Sequence, residues 1–403
     1  MYIARQAIFN RTMKVVGYEL LFRTGKQSKV FDGVSSLHAS ASVLGTLFET
    51  GISKITDDKL AFINFDAELL NSDSLELIDA DRLIIEVLET VIVDEALIER
   101  VKTLKNKGYK IALDDFVESY EDYPLVPYAN IIKFDLMATP LESIVNEVKK
   151  AISQRKALLA EKIETQEEFI KAKAMGFQMF QGFFFSKPDL VVESKSHTTT
   201  KSQYGRLIQE LHQGEPSFQN LAEIIEKDPN LAYRLVMLNS MKSGKNLIYS
   251  IKQALAYMGL KEVERWIHIL MLREMSDSKP DELIRISLVR SKFCEVIARS
   301  STLSKIKYEA SIMGLFSVID AMLNKEMEVA LHDIALTKSI TEALIYGTGE
   351  LSPVCHLIRA YETGDWDTLK LMTEKINISE TEVYDAYVDA ISWANGIMVS
   401  IGS

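Results

Sequence analysis

Asn64, Glu86, Asp114, Lys133, Glu161 and Gln181 succeed one another at intervals of 22, 28, 19, 28 and 20 residues, and each ends or interrupts a short apolar run. One interval is the length of one strand-plus-helix unit, so these polar residues keep register with a repeating βα architecture. The runs, at 18–23, 61–66, 83–89, 110–116, 131–136, 158–163 and 179–185, are dense in Ile, Leu, Val and Phe without strict polar alternation. That pattern predicts parallel strands covered on both faces. Helices are predicted over 37–50, 95–106 and 165–175, followed by Gly51, Gly108 and Gly176 as C-terminal caps. Residues 1–190 therefore fold either as an open doubly wound sheet or as a closed barrel. If the strands are parallel neighbours, the polar residues meet at their carboxyl ends, where βα-barrel active sites are assembled.

The pattern changes at the polar stretch ESKSHTTTKS, which predicts a linker over 191–202. Beyond it strands give way to capped helices. Ser217 and Asp228-Pro229 suit helix starts, while Ser250 with Gln253 and Ser379 with Glu382 have capping-box spacing. Long periodic stretches at 282–299, 312–323 and 382–398 complete a mainly helical domain over 203–403. A 403-residue chain that is 47% hydrophobic and 26% charged is neither disordered, collagenous nor a disulfide scaffold. Its net charge of -11 argues against an extended nucleic-acid surface. The sequence has no apolar run of about 18 residues, so no membrane span is expected. The N-terminal stretch lacks a signal-peptide core. Cys294 and Cys355 have no metal or redox spacing and are expected as small core residues, which suits a cytoplasmic location.

Glu19 within YELLFR joins the series at its start, and Asp115 doubles Asp114. Carboxylates gathered in one pocket cannot all stay charged without a counter-charge. Hard divalent ions, Mg²⁺ or Mn²⁺, provide it through oxygen ligands. Adjacent aspartates allow one site to feed two ions, an arrangement suited to phosphodiester hydrolysis. Lys133 adds a point positive charge beside water or phosphate.

With these residues in place, the first half resembles the EAL family of cyclic-di-GMP phosphodiesterases. Glu19-Leu20-Leu21 stands where the Glu-Ala-Leu signature falls, and RQAIF is similar to the family's Gln-Pro-Ile start, with Ala7 replacing proline. The resemblance covers about residues 1–190. It implies a modified (β/α)8 TIM-type barrel, cyclic-di-GMP as ligand and linear pGpG as product. It further implies that Glu19, Asn64, Glu86 and Asp114 hold one ion and that Asp114, Asp115 and Glu161 serve the second. Lys133, Glu161 and Asp115 would be catalytic, while Arg23, Gln6, Asp135 and Gln181 would face substrate. Glu89 would hold the loop after Asp114-Asp115, and Glu164 would support the site from outside the ligand set. Two departures stand out: DDFVES where active members carry Asp-Asp-Phe-Gly-Thr-Gly, and AEKIET where they carry AEGVET, which puts Lys162 beside a ligand. The first removes two glycines from a loop tied to metal-site organisation and homodimer coupling.

The second half is similar to an HDOD domain, through IIEKDPNLAYRLVMLNS, SIKQALAYMGL and GLFSVIDAML. HDOD domains resemble HD hydrolases without their metal set. His332-Asp333 is accordingly expected as an ordinary helical or surface pair, and His268 as a packed helix residue. Together the halves resemble the EAL–HDOD proteins of bacterial signalling, the YuxH-like group. The expected activity is hydrolysis of cyclic-di-GMP, with the helical domain regulating it or docking a signalling protein. The alternatives are a cyclic-di-GMP receptor without turnover and a protein–protein scaffold.

Overall fold

The computed structural model of the chain describes residues 2–23, 51–117, 120–182, 201–228, 231–232, 234–235, 238, 250–275, 281–323, 325–332, 334 and 336–400. The helix expected over 37–50 and most of the expected linker lie outside them. The helix Lys201–Leu211 already includes the linker's last two positions. Two compact units result, one of residues 1–187 with 356–391, the other of 188–355 with 392–403.

Eight strands close into a barrel in chain order: β1 (Tyr2–Asn10), β2 (Val15–Arg23), β3 (Leu60–Phe65), β4 (Leu83–Val87), β5 (Lys110–Leu113), β6 (Ile131–Asp135), β7 (Ala157–Glu161) and β8 (Met179–Phe180). Strands β2 to β8 pair in parallel, as their doubly buried apolar runs require. The closed alternative of the two sheet forms is the one adopted. Strand β1, absent from the sequence-based strands, is antiparallel to both β2 and β8. The reason is local: the Asn10 carboxamide accepts from Thr12 N–H at 2.9 Å and Lys14 N–H at 3.0 Å. This side-chain-made turn folds β2 straight back on β1, with no crossover helix.

The lumen is filled from below by Ile8, Phe62, Ile84, Ala112, Ile131 and Leu159. Gly17 makes room for this layer, since a β-carbon there would sit 2.7 Å from the Phe62 ring and 2.8 Å from Leu60 O. Outside, the predicted helices form over Glu95–Asn106 and Gln166–Met175. The second starts in a Thr165/Glu168 capping box and stops at left-handed Gly176.

The helices Ser352–Thr363, Trp366–Ile376 and Glu380–Ser400 follow late in the chain, and residues 356–391 of them pack in the barrel's unit. Strand β1 contacts β8 only through Phe9 and Asn10, which leaves its first half with an edge not paired to β8. The Tyr361 hydroxyl covers part of that edge. It accepts from Ile3 N–H at 3.3 Å and donates to Ile3 C=O at 2.9 Å, across 358 residues. Trp366 and Tyr387 pack their rings on Tyr361, with centroids 5.9 and 4.6 Å away.

The other unit is helical throughout its described residues. Ser217, Asp228 and Ser250 cap as expected, accepting from Asn220, Leu231 and Gln253 N–H groups. The periodic stretch 312–323 is broken: one helix ends at Phe316, where the Ser317 hydroxyl donates back to Gly314 C=O, and another runs Ile319–Leu323. Cys294 and Cys355 are both buried thiols. No helix among the described residues is long and apolar enough to cross a membrane.

Candidate metal centre

Inward-facing residues at the carboxyl ends of the strands form a polar layer above the lumen core. Register makes the neighbours: Gln6 opposes Glu19, Asn64 opposes Glu86, and Asp135 opposes Glu161. Lys133 on β6 reaches the middle of this layer. Its Nζ lies 2.6 Å from Glu86 Oε1 and Asp114 Oδ1, 2.8 Å from Glu161 Oε1 and 3.7 Å from Glu19 Oε1. Gln181 Nε2 donates to Glu19 Oε2 at 2.7 Å and to Gln6 Oε1 at 3.0 Å, and Asn64 Nδ2 donates to Glu19 Oε1 at 3.1 Å.

Adjacent strand residues normally point to opposite faces, so Asp114 and Asp115 should not share the mouth. The backbone solves this with a left-handed residue. Asp114 N–H is bound to Val87 O, Phe116 N–H to Lys133 O, and Asp115 between them has φ +40°. Asp114, Asp115 and Glu161 consequently bring carboxylate oxygens within 4.8 Å of one another, the one such group among the described residues. Lys162 repeats the device after Glu161, with φ +52°. Its Nζ donates to Asp135 Oδ2 at 2.5 Å, while Asp135 Oδ1 accepts from Met137 and Ala138 N–H groups at 2.8 and 3.3 Å.

Burial competes with the lysine for control of the charges. Burial would raise Glu19, but Lys133 and the hydrogen bonds from Gln181 and Asn64 outweigh it and hold that carboxyl below its ordinary value. Burial wins at Glu86, raised well above the usual range, and at Asp114, although Lys133 opposes it at both. It also wins at Glu161, pushed up to about 8. Burial would lower Lys133; Glu86, Glu19, Glu161 and Asp114 together raise it well above its ordinary value instead. Without bound ions, these carboxylates thus hold Lys133 as a cation.

The residues present fit divalent ions. Asn64 Oδ1 and Glu86 Oε2 are buried without a hydrogen bond, and Glu86 Oε1 is met by the Lys133 ammonium. An all-oxygen set with unspent lone pairs and surplus negative charge is the donor chemistry of Mg²⁺ and Mn²⁺.

The structure thus brings together Gln6, Glu19, Asn64, Glu86, Asp114, Asp115, Lys133, Glu161 and Gln181, with Asp135 at the rim. Glu89 and Glu164 are exposed, Glu164 with its N–H on Glu168 at the start of a helix. The Arg23 side chain, and Glu118 and Ser119 of the loop after Asp115, lie outside the described residues. The Lys162–Asp135 pair is the feature that strand-end spacing does not reveal; its trace in the sequence is the lysine following Glu161. In the helical unit His268 is buried against Phe316, with ring centroids 5.3 Å apart, and burial lowers it to about 4. It is a neutral core ring, as expected; His332 is exposed, and Asp333 lies outside the described residues.

A closed βα barrel with this acidic mouth is a barrel of the EAL phosphodiesterase type. The EAL domain model matches residues 2–188 and the HDOD domain model residues 199–337. The uncharacterized protein YuxH of Bacillus subtilis is 33% identical over 408 residues, covering 98% of both chains. The cyclic di-GMP phosphodiesterase CdgJ of Vibrio cholerae is 30% identical over 407 residues, covering 98% of this chain and 93% of that one. Among solved structures, Bacillus subtilis YkuI with an EAL domain, in complex with c-di-GMP and calcium, overlaps 66% of this chain and 73% of its own. The TM-score is 0.39 at 22% identity. The chain belongs to the EAL–HDOD family that includes YuxH and CdgJ.

Proposed function

We propose that the chain hydrolyses cyclic-di-GMP to linear pGpG with two divalent ions, Mg²⁺ or Mn²⁺, at the barrel mouth. The observation that carries this reading is the convergence of four carboxylates on Lys133, with Asn64 Oδ1 and Glu86 Oε2 buried without a hydrogen bond. Glu19, Asn64, Glu86 and Asp114 would hold one ion, and Asp114, Asp115 and Glu161 the other. When bound, the ions supply positive charge against the phosphoryl oxygens and acidify the attacking water. Lys133, as an ammonium, would donate to that water or to the phosphate. Gln181, itself held by Gln6, fixes the Glu19 carboxylate, while Arg23, Asp135 and the same glutamines would face the nucleotide. The name of CdgJ supports the substrate class.

The proposed domain division places a barrel in 1–190, a linker in 191–202 and the HDOD domain in 203–403, with residues 356–391 as the portion that braces the barrel's unit. In this reading the HDOD domain docks a signalling protein or regulates the barrel. The deciding experiment incubates purified protein with cyclic-di-GMP and Mg²⁺ or Mn²⁺, beside Glu19→Ala. Metal-dependent pGpG from the wild type alone supports the enzyme; tight binding with no product assigns a receptor; neither assigns a scaffold.

A further inference from the structure

We propose that Lys162 is a ligand-binding residue of the barrel mouth, giving its ammonium to a phosphate of the dinucleotide while Asp135 holds that ammonium in place. The inference rests on the phosphodiester reading above. The backbone at Lys162 is tightly constrained: Leu136 N–H is bound to Glu161 O at 3.2 Å, Ile163 N–H to Gln181 O at 3.1 Å, and the residue between has φ +52°. A left-handed conformation costs a residue with a β-carbon about 1–2 kcal/mol. Its effect is on direction. Glu161 points inward, and regular strand geometry would send the next side chain outward. The left-handed turn returns it to the mouth, within reach of Asp135.

Asp135 acts as an anchor. One oxygen accepts from Met137 and Ala138 N–H groups and the other from Lys162, which fixes the carboxylate as a support for that ammonium. The ammonium is different: it has three N–H groups, and Asp135 takes one. The Lys162 side chain is 53% exposed, whereas that of Lys133 is 1% exposed beneath its carboxylates. Lys133 therefore cannot follow a ligand toward solvent, and Lys162 can. Its charge also lies within the field of Asp115 and Glu161. An anionic dinucleotide approaching this acidic rim meets at Lys162 an oriented point charge with unused donors, the chemistry that recognises phosphate.

The test compares wild type, Lys162→Gly, Lys162→Met and Lys162→Arg by calorimetry with cyclic-di-GMP in Ca²⁺ across a salt series, and separately by Mn²⁺ binding without nucleotide. Glycine suits the left-handed backbone, so that variant keeps its fold. Removing the charge is expected to weaken nucleotide binding about tenfold and to make the affinity less dependent on salt, as losing one charged contact to phosphate does. Arginine restores both. Mn²⁺ affinity stays within about twofold, as expected for a residue that touches ligand rather than ion. If the glycine and methionine variants bind nucleotide as the wild type does, with an unchanged salt slope, Lys162 only ties Asp135 and the proposal fails. If the wild type binds no nucleotide, the phosphodiester reading fails and this inference with it.

Discussion

Replacing Lys133 with methionine removes the cation at the centre of the acidic layer while keeping most of the apolar stem. In the wild type that ammonium lies 2.6–2.8 Å from Glu86, Asp114 and Glu161, and none of these side chains is more than 11% exposed. At an effective dielectric of about 20, each of these carboxyls that is ionised gives a gross attraction of about 6 kcal/mol. Repulsion among the carboxylates and the desolvation of every partner offset most of it. The net cost of deleting one partner from a buried charge cluster is about 3–5 kcal/mol. For a unit of this size one kcal/mol moves Tm by about 2–4 °C, so metal-free Lys133→Met should melt on the order of 10 °C below wild type at neutral pH. The deficit has a definite pH dependence. Without the lysine the buried carboxyls rise further, so the folded state binds more protons than the unfolded state. Stability is then lost as pH rises through those folded values, and the deficit is smallest in acid. Mn²⁺ should restore the variant more than the wild type, because the ion replaces the missing charge. Melting followed by circular dichroism in chelator, at about pH 5 and about pH 7 and then with Mn²⁺, measures all three effects. A variant that melts within about 2 °C of wild type in chelator at neutral pH would refute the charge balance described here.

Burial raises Glu161 to about 8, so near neutrality its carboxyl carries a proton that a divalent ion must displace. Mn²⁺ affinity should therefore climb with pH, by up to about tenfold per unit for that proton, and level off above about pH 8; affinity that is flat from about pH 6 upward contradicts this. Tyr361→Phe removes both hydrogen bonds to Ile3 and should cost about 1–3 kcal/mol, seen as a lower Tm and faster exchange of the Ile3 amide, with Mn²⁺ binding unchanged. A β-carbon on Gly182, at φ +154°, would sit 2.3 Å from Ile163 N and O. Gly182→Ala should therefore displace Gln181 and lower turnover by at least about tenfold, the cost of a misplaced site residue; full activity would show that the barrel absorbs the clash.

The βα period was legible because barrel closure demands it: doubly buried strands need apolar runs, and the inward polar residues recur once per unit. Helix stops at Gly108 and Gly176 and caps at Ser217 and Ser250 are local, and local chemistry sufficed to find them. Strand β1 was less accessible. Its direction depends on a turn built by the Asn10 side chain, and its edge is covered by a tyrosine far along the chain. Nor does composition disclose the left-handed backbone at Asp115 and Lys162, which decides that successive residues share one mouth. The pair of aspartates was visible as chemistry; how both could face the same ion was not.

The bond between Ile3 and Tyr361 also sets a schedule. At roughly 5–20 residues per second, a ribosome needs on the order of 20–70 seconds to make the 358 residues that separate them. Throughout that time the β1 backbone at Ile3 has emerged with its late partner still unmade, and an uncovered strand edge is a template for pairing with other chains. Growing chains of this protein should depend on chaperones that shield strand edges until the last helices arrive. A stop codon placed before Tyr361 would leave a nearly complete barrel with its seam permanently open to neighbours.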